Sequence, residues 1–229
     1  MANSYGPKGI VTDGLVFNAD PSNIQCYPAT GTEMLNSVQQ NTGTINAATW
    51  EKNCFDYDGN NDWIDFAQPN ANLDAPIWSL EMWINPDNEH NGCLYMSRSL
   101  FDSGTNGCQI LWRSTGDIAM RGGGTTYASF GDVNTGGEVV GKWTQIVFTM
   151  NGTTANLYLN GGQAAPNTNV TIEEIQVSTY PATIGCGTDG WSRAYDYSGK
   201  IGPVRAYHKI LTTAEMLQNY NSQKSKFGL

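Results

Sequence analysis

From Trp143 to Gly162 the chain reads WTQIVFTMNGTTANLYLNGG, and its apolar positions recur every second residue. Ile146, Phe148 and Met150 alternate with Gln145, Val147 and Thr149. After Asn151-Gly152, the residues Ala155, Leu157 and Leu159 alternate with Asn156, Tyr158 and Asn160. A period of two marks strands with one face on a core. Asn and Gly tolerate positive φ, so Asn151-Gly152 and Asn160-Gly161 each predict a two-residue hairpin turn. The stretch therefore predicts a meander in which Ile146, Phe148, Leu157 and Leu159 are buried.

The same test applied along the chain predicts strands over 10–18, 54–57, 63–66, 78–85, 93–97, 108–113, 117–121, 125–130, 171–177, 182–186 and 200–207. In WSLEMWIN (78–85), Trp78, Leu80, Met82 and Ile84 face one way and Ser79, Glu81, Trp83 and Asn85 the other. The DGNND stretch at 58–62 predicts a tight turn, and 21–49 reads as a long polar loop. About a dozen short strands at near-regular spacing imply a sandwich or barrel. One helix is expected over 212–223: Thr212 or Thr213 can cap it, Glu215 falls in its first turns, and Leu211, Met216, Leu217 and Tyr220 form an apolar stripe for a sheet edge. No linker-like composition shift or repeat divides the 229 residues, so one domain over 1–229 is expected.

Composition narrows the function. Charged residues make 14% and glycines number 26, so the polar surface is built mostly from amides, hydroxyls and backbone. The net charge of −9, with no run of Lys or Arg, argues against a nucleic-acid partner. No stretch approaches membrane-spanning length, and the opening MANSYGPKGIVTDG lacks a charged segment followed by an apolar one. The expectation is a chain made in the cytoplasm without a signal peptide. Cys26, Cys54, Cys93, Cys108 and Cys186 are odd in number, show no metal-like spacing, and read as reduced, apolar-like side chains. A disulfide would require maturation outside a cell.

Five stretches together resemble a laminin G-like domain of the concanavalin A-like lectin/glucanase superfamily. They are GLVFNADPSN (14–23), CFDYDGNNDWIDF (54–66), WSLEMWINP (78–86), KWTQIVFTMNGTTANLYLNGG (142–162) and GKIGPVRAYHKILTTAEMLQNY (199–220). The resemblance implies an all-β, two-sheet antiparallel jelly-roll sandwich with a short C-terminal helix. The superfamily includes lectins, glucanases, adhesion modules and structural domains of viral particles, so the residues must decide among them.

Retaining glucanases need two carboxylates about 5 Å apart, which alternate positions on one strand supply. Glu173-Glu174 are adjacent, Asp62 and Asp65 are three apart, and Glu81 stands alone on its strand, so no enzyme is expected. The resemblance also implies a calcium site in which an early Asp meets an acidic pair of the closing strand. Asp20 matches the first position, but Gly202-Pro203 replaces the pair, and no cofactor is expected. For a glycan, TDGWSRAYDYSG (188–199) offers Trp191, Arg193, Tyr195 and Tyr197, whose odd numbering could place them on one face; the same rings suit a contact with a neighbouring subunit. The chain end resembles laminin G-like proteins of tailed phages. The expectation is a non-catalytic protein on the exterior of a phage virion, a head decoration or fibre-associated component. Its partners would be other virion proteins such as the major capsid protein, further copies of itself in an oligomer or lattice, and host-surface glycans. A lectin or adhesion module outside any virion is the alternative.

Overall fold

The computed structural model describes residues 9–66, 73, 75–98, 107–122, 126–134, 137–175, 178, 180–188 and 193–229. Two antiparallel sheets face each other. The first runs Gln163–Ala164, Thr154–Leu159, Thr144–Asn151, Ile77–Pro86, Ser198–Tyr207, Cys54–Asp58 and Thr49–Glu51, with Leu15–Ala19 also paired to Ser198–Tyr207 and Val170–Thr171 to Thr154–Leu159. The second runs Ala128–Asp132, Asp117–Arg121, Gln109–Trp112, Gly92–Met96, Ala182–Ile184, Trp63–Phe66, Thr42–Asn46 and Glu33–Leu35.

The alternation sets which face of each strand meets the core. Ile146 lies opposite Leu159, and Phe148 opposite Leu157; all four are buried, as expected. From the facing sheet come Ile64, Phe66, Ile110, Trp112, Ile118, Met120 and Ile184. Edge-to-face ring pairs cross-link this layer, Phe17 with Phe66 at 5.0 Å and Phe130 with Phe148 at 5.6 Å.

The turns differ from the expected form. In the first hairpin Asn151 is still paired, opposite Thr154, so Gly152 and Thr153 make the loop. Only Gly152 has positive φ (62°), the pattern of a turn with glycine at its first central position. The second is a three-residue turn, with Asn160, Gly161 and Gly162 all at positive φ and Leu159 opposite Gln163. The 58–62 turn forms as expected. Gly59 and Asn61 take positive φ, and the Asp58 amide donates to Asp62 Oδ2 at 2.7 Å.

Two expectations need correction. The 21–49 segment is not one loop: it carries Glu33–Leu35 and Thr42–Asn46, which extend the second sheet, with Glu33, Thr42 and Thr44 on an exposed strand face and Asn36 fully buried beyond the first strand. The helix, Thr213–Gln223, does form, with Thr212 as N-cap in a reciprocal capping box with Glu215. It covers the outer face of the first sheet and not an edge. Met216 packs with Val147 and Tyr207, and the Trp83 ring stacks on Tyr220 at 5.6 Å and on Phe227 at 4.5 Å. Leu217, assigned to the apolar stripe, is exposed, whereas Asn219 and Gln223 are buried. Both faces of Ile77–Pro86 are therefore covered, and Ser79, Glu81 and Trp83 are as buried as Leu80 and Met82.

Candidate functional site

The second sheet brings Thr44, Asp65, Thr183, Met96, Gln109 and Arg121 into one transverse row, each opposite the next. Their chain neighbours Ile45, Ile64, Ile184, Ile110 and Met120 fill the core, so this row lies on the outer face. Its far end is a polar cluster. Gln109 Oε1 accepts from Arg121 Nε at 3.0 Å and from the Tyr127 hydroxyl at 2.6 Å. The Arg121 guanidinium sits over the Tyr127 ring, 4.9 Å from its centroid. Arg98 donates to the Gly122 carbonyl. Beside these, Asp117 Oδ2 accepts from Ser129 Oγ at 2.6 Å and from Arg113 at 3.3 Å.

Tyr195 joins this cluster. Its carbonyl accepts from the Cys93 amide at 2.7 Å, its φ is 61°, and it remains 40% exposed. Burial pushes the Tyr127 hydroxyl up to about 12; Arg121 opposes that shift and Tyr195 adds to it. Toward the middle of the row, burial raises the Asp65 carboxyl above its ordinary value, and its Oδ1 has no hydrogen-bond partner. Gln109 and Arg121 are buried and hold one another and Tyr127, so the half-buried Tyr127 and the exposed Tyr195 are the members of this group that reach solvent, where rings can meet C–H surfaces and hydroxyls can exchange directed hydrogen bonds.

The four residues of the aromatic loop do not act together as expected. Trp191 lies outside the described residues. Arg193 begins the short strand Arg193–Ala194, opposite Thr188. Tyr195 is exposed, but Tyr197 is fully buried, edge-on to Tyr57 at 6.2 Å and 5.5 Å from the His90 ring. Tyr197 therefore cannot form part of a platform. The alternation fails because Tyr195 takes positive φ, which breaks the extended geometry that would keep odd positions on one side. His90 fixes the chain just beyond, accepting from the Ser198 amide at its Nε2 (2.8 Å) while its Nδ1 faces the Asn88 carbonyl (3.1 Å). Burial lowers its pKa.

Asp20 is held by a cation of the protein itself. Arg205 is buried; its Nη2 lies 2.7 Å from Asp20 Oδ2, its Nη1 lies 3.5 Å from Glu81 Oε1, and its Nε donates to Asn18 Oδ1 at 3.0 Å. Burial acts to lower the Arg205 pKa, but the Glu81 and Asp20 charges outweigh it and raise it. No group of three His, Cys, Asp or Glu that could hold a metal ion occurs among the described residues. Glu81, which stands alone in sequence, is tied down under the helix by Gln145 Nε2 at 3.0 Å and Asn219 Nδ2 at 2.6 Å. Gly202-Pro203 forms a bulge in Ser198–Tyr207, between Ile201 and Val204.

Sequence reasoning did not find Gln109, Arg121 or Tyr127. The signal available was weak: Gln109 and Arg121 occupy the polar phase of two alternating strands, but only sheet register sets them side by side.

Two face-to-face antiparallel sheets closed by a terminal helix define a jelly-roll sandwich of the concanavalin A-like class. The chain belongs to the concanavalin A-like lectin/glucanases superfamily: the family model Laminin_G_3 matches residues 58–216. No curated protein sequence matches it. Among solved structures it is similar to Trypanosoma rangeli sialidase in complex with the inhibitor DANA, at 15% identity and a TM-score of 0.66 over 94% of this chain and 34% of that one. The botulinum neurotoxin serotype D binding domain matches at 13% identity and a TM-score of 0.67, over 92% of this chain and 52% of that one. Domain 4 of AbnA, a GH43 extracellular arabinanase from Geobacillus stearothermophilus, in complex with arabinotriose, matches at 15% identity and a TM-score of 0.59, over 90% and 98%. The chain thus spans about a third of the sialidase's length. At these identities the likeness is one of fold, and that fold occurs in enzymes and in binding domains alike.

Proposed function

We propose that the protein is a non-catalytic glycan-recognition module that reads sugar hydroxyls on the outer face of its second sheet. The observation that carries this is the exposed Tyr195, whose carbonyl is bonded to the Cys93 amide beside the buried cluster of Gln109, Arg121 and Tyr127. The arabinanase domain in complex with arabinotriose supports the chemistry on a shared fold. Within this reading the site needs no metal, because its recognition groups are the rings and hydroxyls of Tyr127 and Tyr195. It is assigned binding alone and no hydrolysis.

The test is binding to an immobilised glycan panel in the presence of a chelator. Binding that survives chelation, weakens about tenfold or more in Tyr195→Ala, and returns the glycan intact is expected. Binding that needs calcium or ignores Tyr195→Ala, or hydrolysis abolished by one Asp or Glu substitution, would overturn the reading.

A second reading concerns where the module works. We infer a place on the exterior of a phage particle, assembled in the host cytoplasm and attached to the major capsid protein or to other copies of itself. It is favoured by the cysteines: all five are buried and none is joined in a disulfide, as suits a chain matured among reducing thiols. The net charge of −9 suits a position away from packaged DNA. Mass spectrometry of purified particles checks it; absence of the chain from them, with export from uninfected cells, would leave the glycan module alone.

A further inference from the structure

Residues 195–198 lead from the exposed Tyr195 into the strand Ser198–Tyr207, and they are held there against two costs. Tyr195 has a φ of 61°, a left-handed conformation that strains a residue other than glycine. The Tyr197 ring is fully buried, yet its hydroxyl closes no hydrogen bond of ordinary geometry. A buried hydroxyl without a partner opposes the burial of its own ring. Hydrogen bonds offset these costs. The Tyr195 carbonyl accepts from the Cys93 amide at 2.7 Å, and the Tyr197 amide donates to the Gly185 carbonyl at 2.8 Å. The Ser198 amide is different, because its acceptor is a side chain that can titrate: His90 Nε2, at 2.8 Å.

The backbone fixes the role of each His90 nitrogen. An amide N–H can only donate, so Nε2 must be bare. The Asn88 carbonyl, 3.1 Å from Nδ1 and also bonded by Trp112 Nε1 at 2.9 Å, can only accept, so Nδ1 carries the proton. The ring is packed tightly in this position: a Cβ added at Gly92 would collide with Nε2, and the Tyr197 ring centroid lies 5.5 Å away. A second proton has only Nε2 to go to, where it would point at the hydrogen of the Ser198 amide. The imidazolium and the closed segment exclude each other.

The surrounding charges set the sign. Asp87 and Glu89 flank His90 on its own turn, Asp196 lies in the segment, and Asp56, Asp58 and Asp62 lie on and after the neighbouring strand Cys54–Asp58. Lys200 is paired with Glu51. Burial lowers the His90 pKa, and Asp87, which favours the imidazolium, does not outweigh it. The closed form therefore binds the proton less readily than the open one, and it loses ground as pH falls from the ordinary histidine value of about 6.5 towards the lowered one. Burial raises the Asp56 and Asp62 carboxyls, so their protonation in acid favours the closed fold and works against His90.

We propose that His90 is an acid-sensitive latch: its protonation breaks the Ser198 bond, frees residues 195–198 from the second sheet, and carries Tyr195 off that sheet's outer face. The latch is a property of the chain itself; only its effect on binding rests on the glycan reading given above.

Amide hydrogen exchange of the full-length, isotopically labelled chain, read by NMR and corrected for the intrinsic effect of pH, tests the latch. Between about pH 7 and about pH 5 the Cys93, Tyr197 and Ser198 amides should lose protection together, by about threefold or more, while those of Thr144–Asn151 keep theirs. His90→Gln supplies a carbonyl that can accept from Ser198 but takes no proton, so protection in that variant should not change with pH. His90→Ala should lose protection at both ends of the range. Should neither variant fold, the wild-type ring decides: its nitrogen shifts should show Nδ1 protonated and Nε2 bare at neutral pH, with the Ser198 amide shift following the ring's titration. Protection indifferent to pH, the same pH dependence in His90→Gln, a loss shared by Thr144–Asn151, or the opposite tautomer would each overturn the proposal. The test uses no glycan, so its failure leaves the glycan reading untouched, and an absence of glycan binding leaves the latch untouched.

Discussion

Replacing Arg205 by Met tests the physics under the C-terminal helix. Arg205 is fully buried, with Asp20 and Glu81 as its ionic partners and Asn18 as a third acceptor. At an effective dielectric of about 20, each close charge pair is worth about 4 kcal/mol. Against that stands a desolvation cost of several kcal/mol per ion, so the intact triad contributes little net stability. The variant is different. Methionine fills much of the volume but leaves Glu81 buried without its cation and Asp20 with only the more distant Lys226 Nζ at 3.9 Å. Glu81 keeps Gln145 and Asn219, and Asp20 keeps the Ser22 amide and hydroxyl, so neither loses every partner. The expected loss is about 3–5 kcal/mol, the range for breaking a buried pair from one side. Urea unfolding at pH 7, followed by tryptophan fluorescence, measures it. A cycle with Glu81→Gln should show the double variant less destabilised than the sum of the singles, by about 1–3 kcal/mol, since the second change removes a stranded charge. A loss below about 1 kcal/mol in Arg205→Met, with strictly additive singles, would refute the reasoning and mean that the triad is open to water.

Leu157→Ala should cost about 2–5 kcal/mol by the same assay, because Leu157 is fully buried opposite Phe148; a loss under about 0.5 kcal/mol would invert the assigned strand face. Thr212→Ala should cost about 1 kcal/mol through loss of the capping box, with Thr212→Ser nearly neutral. His90 should titrate below the ordinary histidine value of about 6.5, because burial lowers its pKa. The unfolded chain then binds the proton more readily, so the contribution of His90 is complete above that value and declines as pH falls below it. An NMR titration giving a raised pKa would contradict this. The five thiols should resist a thiol reagent in the native protein, since all are buried and burial pushes Cys54 and Cys108 up to about 12; all five should react after unfolding, and a count of three or one would mean a disulfide.

The sandwich was legible in the alternation of Ile146, Phe148, Leu157 and Leu159, because a period of two assigns faces without reference to any other part of the chain. The helix was legible too, since Thr212 and Glu215 form its capping box within four residues. Pairing between distant segments was not. Glu81 and Arg205 are 124 residues apart, and only the register of Ile77–Pro86 against Ser198–Tyr207 sets them opposite each other. The same holds for Gln109, Arg121 and Tyr127, which are polar or aromatic residues of no special spacing until three strands lie side by side. Tyr195 and Tyr197 show the remaining gap. Their spacing implied a shared face, and one positive φ at Tyr195 sent one ring to solvent and the other into the core beside Tyr57. The helix shows it again: its stripe named Leu217, yet the face that reached the sheet carried Asn219, whose amide meets Glu81 and Tyr207. Local periodicity determined which residues could be buried; the tertiary structure alone decided what each would be buried against, because charge and hydrogen-bond partners are matched across the fold and not along the chain.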